Sequence, residues 1–163
     1  MPFDSGAGSA VPPSRLSANV VIALAALAFA APAAPAWPGA PTAPPPTPPS
    51  SGAPPPAWIE TQAKSAWLFY GSYCWKTMCV DLIPPDTRPG LPTFTIARGR
   101  IVRVHLRLVA RSAGVSIDRR KLSASFNAEK RILSWSATRA GILTVFARAA
   151  AGDASYVARL RVR

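Results

Sequence analysis

"ASYVARLRV", Ala154–Val162, decides the fold. Tyr156, Ala158, Leu160 and Val162 recur at every second residue, while Arg159 and Arg161 take the alternate positions, with Arg163 next in line. Alternate side chains of an extended chain leave on opposite faces, so this stretch reads as a strand with one apolar and one basic face. "IVRVHLRLVA", Ile101–Ala110, repeats the pattern: Val102, Val104, Leu106 and Leu108 point one way, and Arg103, His105 and Arg107 the other. "KLSASFNA" from Lys121 places Leu122, Ala124 and Phe126 inward, and "RILSWSAT" from Arg131 does the same with Leu133, Trp135 and Ala137. "GILTVFARA", Gly141–Ala149, is less regular, because Phe146 falls on the parity of Arg148.

Turn-like stretches at 111–114, 118–121, 127–130, 138–141 and 151–153 separate these runs at intervals of about ten residues. Short alternating strands at that spacing predict an all-β chain, an immunoglobulin-like antiparallel β-sandwich of about seven to nine strands. "WIETQAKSAW", Trp58–Trp67, fits one helical turn or a strand starting near Ser65 equally well.

The sandwich is expected over 58–163. Those residues hold 18 of the 19 basic and six of the seven acidic residues, so they carry 18 − 6 = +12. Their length suffices for one modest core. Ahead of them, residues 1–36 read as a signal peptide, with a membrane anchor as the alternative. Arg15 precedes the apolar run "NVVIALAALAFA", and small-residue sites end at Ala30, Ala33 and Ala36. The run from Leu16 to Ala31 is shorter than the roughly 20 residues that span hydrocarbon. No cysteine lies just after it, which excludes lipoprotein attachment. Residues 37–57 hold ten prolines in 21 positions, the composition of a Pro-rich disordered linker.

"GSYCWKTMCVD", Gly71–Asp81, contains both cysteines. A zinc site needs three or four ligands, and the chain offers these two cysteines and the single histidine His105. Thioredoxin-like chemistry uses C-x-x-C at a helix start; four residues separate Cys74 from Cys79. An exported chain folds in oxidising surroundings. Facing residues at the base of a four-residue hairpin loop come within disulfide reach. A Cys74–Cys79 disulfide is therefore expected, fixing the first hairpin. The nearby aromatics Trp67, Phe69, Tyr70, Tyr73 and Trp75 are expected to pack around that hairpin, with a carbohydrate platform as the sharper alternative.

"GSYCW" with a second cysteine and "VD" close behind, and the closing "GDASYVARLRV", resemble a group of uncharacterised exported bacterial β-domain proteins. These carry a G-S-Y-C-W…C-x-D hairpin and a G-D-x-x-[YF] start to the final strand. Gly71, Ser72, Tyr73, Cys74, Trp75, Cys79 and Asp81 match the first motif, and Gly152, Asp153 and Tyr156 the second. The resemblance spans about residues 64–163. It implies an exported, often membrane-associated β domain with no assigned activity.

Catalytic groups are sparse. His105 is alone, and neither a G-x-S-x-G elbow nor a phosphate-binding Gly-rich loop occurs. The expectation is a non-catalytic domain without a cofactor or metal. The basic rows are the binding candidates: Arg103, His105 and Arg107 on one strand, Arg159, Arg161 and Arg163 on another. If those strands are neighbours, five arginines converge, and such a field attracts polyanions. For an extracytoplasmic domain, secreted or held by an uncleaved anchor, the expected partners are anionic cell-wall polymers or lipid head groups. Nucleic acid is not expected, because the rows lack interleaved aromatics. The rival reading is an adaptor that binds an envelope protein, for instance by strand addition.

Overall fold

The alternating runs of the sequence form strands, except that within Lys121–Ala128 only Lys121 and Ser125–Asn127 are extended. The computed structural model describes residues 36–163, so the signal peptide or anchor, save Ala36, lies outside the described residues. In chain order the strands are Ala57–Glu60 (β1), Ser65–Trp67 (β2), Phe69–Trp75 (β3), Met78–Val80 (β4), Thr93–Ile96 (β5) and Ile101–Leu106 (β6). They continue as Ala110–Ile117 (β7), Arg120–Lys121 (β8), Ser125–Asn127 (β9), Ile132–Ser136 (β10), Gly141–Ala149 (β11) and Gly152–Val162 (β12). Eight strands have four residues or more; β2, β4, β8 and β9 have two or three. The total of twelve exceeds the expected seven to nine because these short strands carry too few residues to show a period.

One sheet has the order β2-β1-β6-β10-β9 and the other β4-β3-β12-β11-β7-β8. Together they make the expected β-sandwich. Inward side chains of both sheets form one core that includes Val102, Val104, Leu133, Leu143, Val145, Tyr156 and Leu160. Leu122, Ala124 and Phe126 are half-buried against it. All pairings are antiparallel except one: β5 runs parallel to the second half of β12, with Arg159–Val162 opposite Thr93–Ile96. β3 covers β12 only as far as Val157, so β5 supplies partners for the backbone groups left on that edge.

Trp58–Trp67 forms a hairpin of β1 and β2, not a helical turn. Thr61 closes it through its N–H, 2.9 Å from the Lys64 carbonyl, and its hydroxyl, 3.0 Å from the same oxygen. The cysteine hairpin is therefore the second hairpin of the domain.

The Pro-rich segment differs from the disordered linker expected of it. Residues 36–56 have no regular secondary structure, yet four hydrogen bonds join them to the domain. The Gly39 N–H donates to Glu60 Oε1 at 2.9 Å, and Trp67 Nε1 donates to the Ala43 carbonyl at 2.7 Å. Ser50 Oγ lies 2.8 Å from the Tyr73 hydroxyl, and the Tyr156 hydroxyl donates to the Pro55 carbonyl at 2.5 Å. Proline removes backbone donors but keeps its carbonyl, and side-chain donors of the strands use the carbonyls of this segment. Pro54 is fully buried.

Candidate functional site

β3 and β4 place Cys74 opposite Cys79, and the two form a disulfide with Sγ–Sγ 2.06 Å and Cα–Cα 4.0 Å. Trp75 pairs with Met78, so the loop is the two residues Lys76 and Thr77 rather than four, with Lys76 at φ 55°. Tyr70, Tyr73 and Trp75 are buried, which gives these rings the packing role. Burial pushes the Tyr156 phenol far above its ordinary pKa, and the neighbouring Tyr70 adds to this. Tyr70 is itself raised by burial and by Tyr73.

The two sequence motifs are neighbours in the sheet. Gly152 pairs with Trp75 and Asp153 with Cys74. Gly152 has φ 138°, and a Cβ there would lie 2.1 Å from the Cys74 carbonyl oxygen, so glycine is required. Between Ala154 and Tyr156 the register shifts, because Tyr73 and Tyr70 oppose them and β3 carries one extra residue. Ser155 Oγ fills the space beside Gly71 and donates to the Ser72 carbonyl at 2.7 Å. Ser72 Oγ donates to Asp81 at 2.6 Å and accepts the Leu82 N–H at 3.1 Å, which holds the end of the hairpin.

The arginine rows do not converge. β6 belongs to the five-stranded sheet and β12 to the other, so their polar faces look outward from opposite sides of the sandwich. Sequence alternation defines a face within a strand, not the sheet to which the strand is assigned. The first row is also engaged locally. The Arg103 guanidinium lies 3.7 Å from the centroid of the Trp37 ring. His105 stacks on Trp58 at 4.6 Å, and its Nε2 lies 2.9 Å from Oε2 of the buried Glu60. Arg107 is exposed in the bend after β6.

The second row joins a different cluster. The turn at 97–100 crosses from β5 to β6, and thus from one sheet to the other. The Arg98 N–H donates to the Arg163 carbonyl at 2.8 Å, and the Arg163 N–H to the Ile96 carbonyl at 3.0 Å. The Gly99 N–H donates to Ala137 and the Ala137 N–H to Arg100, both at 2.8 Å. Arg98 Nη1 donates to the Thr138 carbonyl at 3.1 Å. The segments 97–100, 137–140 and 161–163 are thereby tied together at one end of the sandwich. They bring Arg98, Arg100, Arg139, Arg161 and Arg163 to that end, all five exposed, and contain no acidic residue. Arg159, half-buried one turn of the pleat earlier, is less accessible. Arg98, Arg100 and Arg139 escape a search for alternating rows because they sit in turns.

Among the described residues, no three His, Cys, Asp or Glu side chains gather as a metal site. No family model, curated protein or solved structure matches the chain.

Proposed function

We propose that this is a non-catalytic exported envelope domain that binds anionic envelope polymers or lipid head groups through its basic end. The observation that carries the reading is the joining of three acid-free segments around Arg98, Arg100, Arg139, Arg161 and Arg163. Guanidinium groups so placed offer paired donors to phosphate and carboxylate, and their summed field draws a polyanion from solution. The disulfide is compatible with an oxidising, extracytoplasmic compartment. The motif resemblance to exported bacterial β domains belongs to the same proposal. The adaptor reading receives less support. The strands with a single partner, β2, β4, β5, β8 and β9, have two to four residues each. Edges that short offer little ladder to an added strand.

Sedimentation with purified cell wall across a salt series tests the reading. Wild type is expected to co-sediment at low salt and be released as salt rises. The Arg139→Ser/Arg161→Ser/Arg163→Ser protein is expected to stay largely in the supernatant. Equal, salt-insensitive sedimentation of both contradicts the proposal.

A further inference from the structure

A second concave surface lies away from the basic end, on the outer face of the larger sheet, where a trough of about 580 Å³ opens. That volume falls within the range of small-molecule sites. Two adjacent rows of the sheet build its floor. In one, Phe146 stands between Gly114 on β7 and Ser155 on β12. In the next, Arg148 stands between Ser112 and Asp153, and Asp153 opposes the Cys74–Cys79 disulfide.

Three properties set this surface apart. Phe146 is 53% exposed in the middle of a strand, and small neighbours leave it uncovered on both sides; a Cβ on Gly114 would meet nothing within 4 Å. The polar groups of the trough come as bonded donor–acceptor pairs. Arg148 Nε and Nη2 bond Asp153 Oδ1 and Oδ2 at 3.0 and 3.3 Å, and Ser72 Oγ bonds Asp81 at 2.6 Å. The lining holds one arginine against two aspartates, a local charge of 1 − 2 = −1 on a chain of +12.

We propose that this trough binds a neutral saccharide chain. A sugar ring has one face of C–H groups, which packs on an aromatic ring, and a belt of hydroxyls, each both donor and acceptor. Phe146 supplies the ring, and the Arg148–Asp153 and Ser72–Asp81 pairs supply acceptors and donors at the rim. The local negative charge disfavours the polyanions assigned to the basic end, so the two sites take different ligands. The reading also gives the G-S-Y-C-W and G-D-x-x-Y stretches a common role beyond folding, because Ser72, Asp81, Asp153 and Ser155 all line the trough.

Two variants separate binding from folding. Phe146→Ala removes an exposed ring, and Gly114→Val fills open space on the floor. The full-length chain, wild type and both variants, is applied to an array of neutral glycans, and the glycans bound are titrated calorimetrically at low and high salt. The expected result is wild-type binding that is insensitive to salt and at least about tenfold weaker in each variant, with unchanged melting temperatures. Absence of binding across the array overturns the proposal, as does equal affinity of all three proteins. Phe146-dependent capture of members of a random peptide library, without glycan binding, overturns it in favour of a peptide site.

Discussion

Replacing Tyr156 with phenylalanine exchanges one buried hydroxyl for hydrogen and leaves the ring in place. Tyr156 is fully buried, and its hydroxyl donates to the Pro55 carbonyl at 2.5 Å. At neutral pH the substitution costs one hydrogen bond, about 1 kcal/mol. Alkaline pH reverses the order. In the unfolded chain the phenol titrates near 10, whereas in the folded chain burial holds it protonated well above that. A raised folded pKa gives stability that is complete below the unfolded value and lost as pH climbs towards the folded one. Wild type therefore loses about 1.4 kcal/mol per pH unit above 10 through this group, and the variant does not. The two stabilities should cross near pH 11. Urea denaturation of both proteins at pH 7, 9, 10, 11 and 11.5 measures the difference directly. Tyr70 is present in both proteins, so the effect of its own burial cancels in the difference. A gap that stays constant from pH 7 to 11.5 would refute the burial of an un-ionised Tyr156.

Other perturbations follow from single contacts. Gly152→Ala sets a Cβ 2.1 Å from the Cys74 carbonyl oxygen at φ 138° and should cost more than about 3 kcal/mol by chemical denaturation. Cys74→Ser/Cys79→Ser opens a loop of sequence separation five and should lower stability by about 2 kcal/mol, with the same loss on reduction of wild type. Trp67→Phe removes the donor to the Ala43 carbonyl, so amides of residues 39–43 should exchange faster while core amides in β6 and β12 do not change.

The sandwich was legible where a strand buries every second residue, as in β6, and not in β7, where 111–114 read as a turn. Burial writes itself into the sequence as Val102-Val104-Leu106 and Tyr156-Ala158-Leu160, all buried. The irregular parity of Phe146 was legible too, and the structure gives its meaning: it shares the outer face with Arg148, opposite Gly114 and Ser155. The conformation of the Pro-rich segment was not legible. Proline content reports missing backbone donors, whereas the bonds to this segment involve the side chains of Glu60, Trp67, Tyr73 and Tyr156, 21 to 101 residues away in sequence. The basic end was half legible. Arg161 and Arg163 show in the alternation of β12, but their companions Arg98, Arg100 and Arg139 lie in turns that only the crossing of β5 to β6 brings alongside. The absence of Asp and Glu from all three segments is the signal that sequence reading had within reach.

The basic end is tested most directly by the salt dependence of binding to a defined polyanion. Labelled inorganic polyphosphate can be titrated by anisotropy with three proteins: wild type, Arg139→Ser/Arg161→Ser/Arg163→Ser, and the charge-matched control Arg107→Ser/Arg111→Ser/Arg131→Ser, whose residues follow β6, start β7 and precede β10. Each lost phosphate contact should flatten the slope of log K against log salt by roughly 0.7–0.9, the value found for nucleic-acid phosphates. The first variant should lose most of the wild-type slope and the control should keep it. Equal slopes for the two variants would show that net charge alone, and not the basic end, holds the polymer.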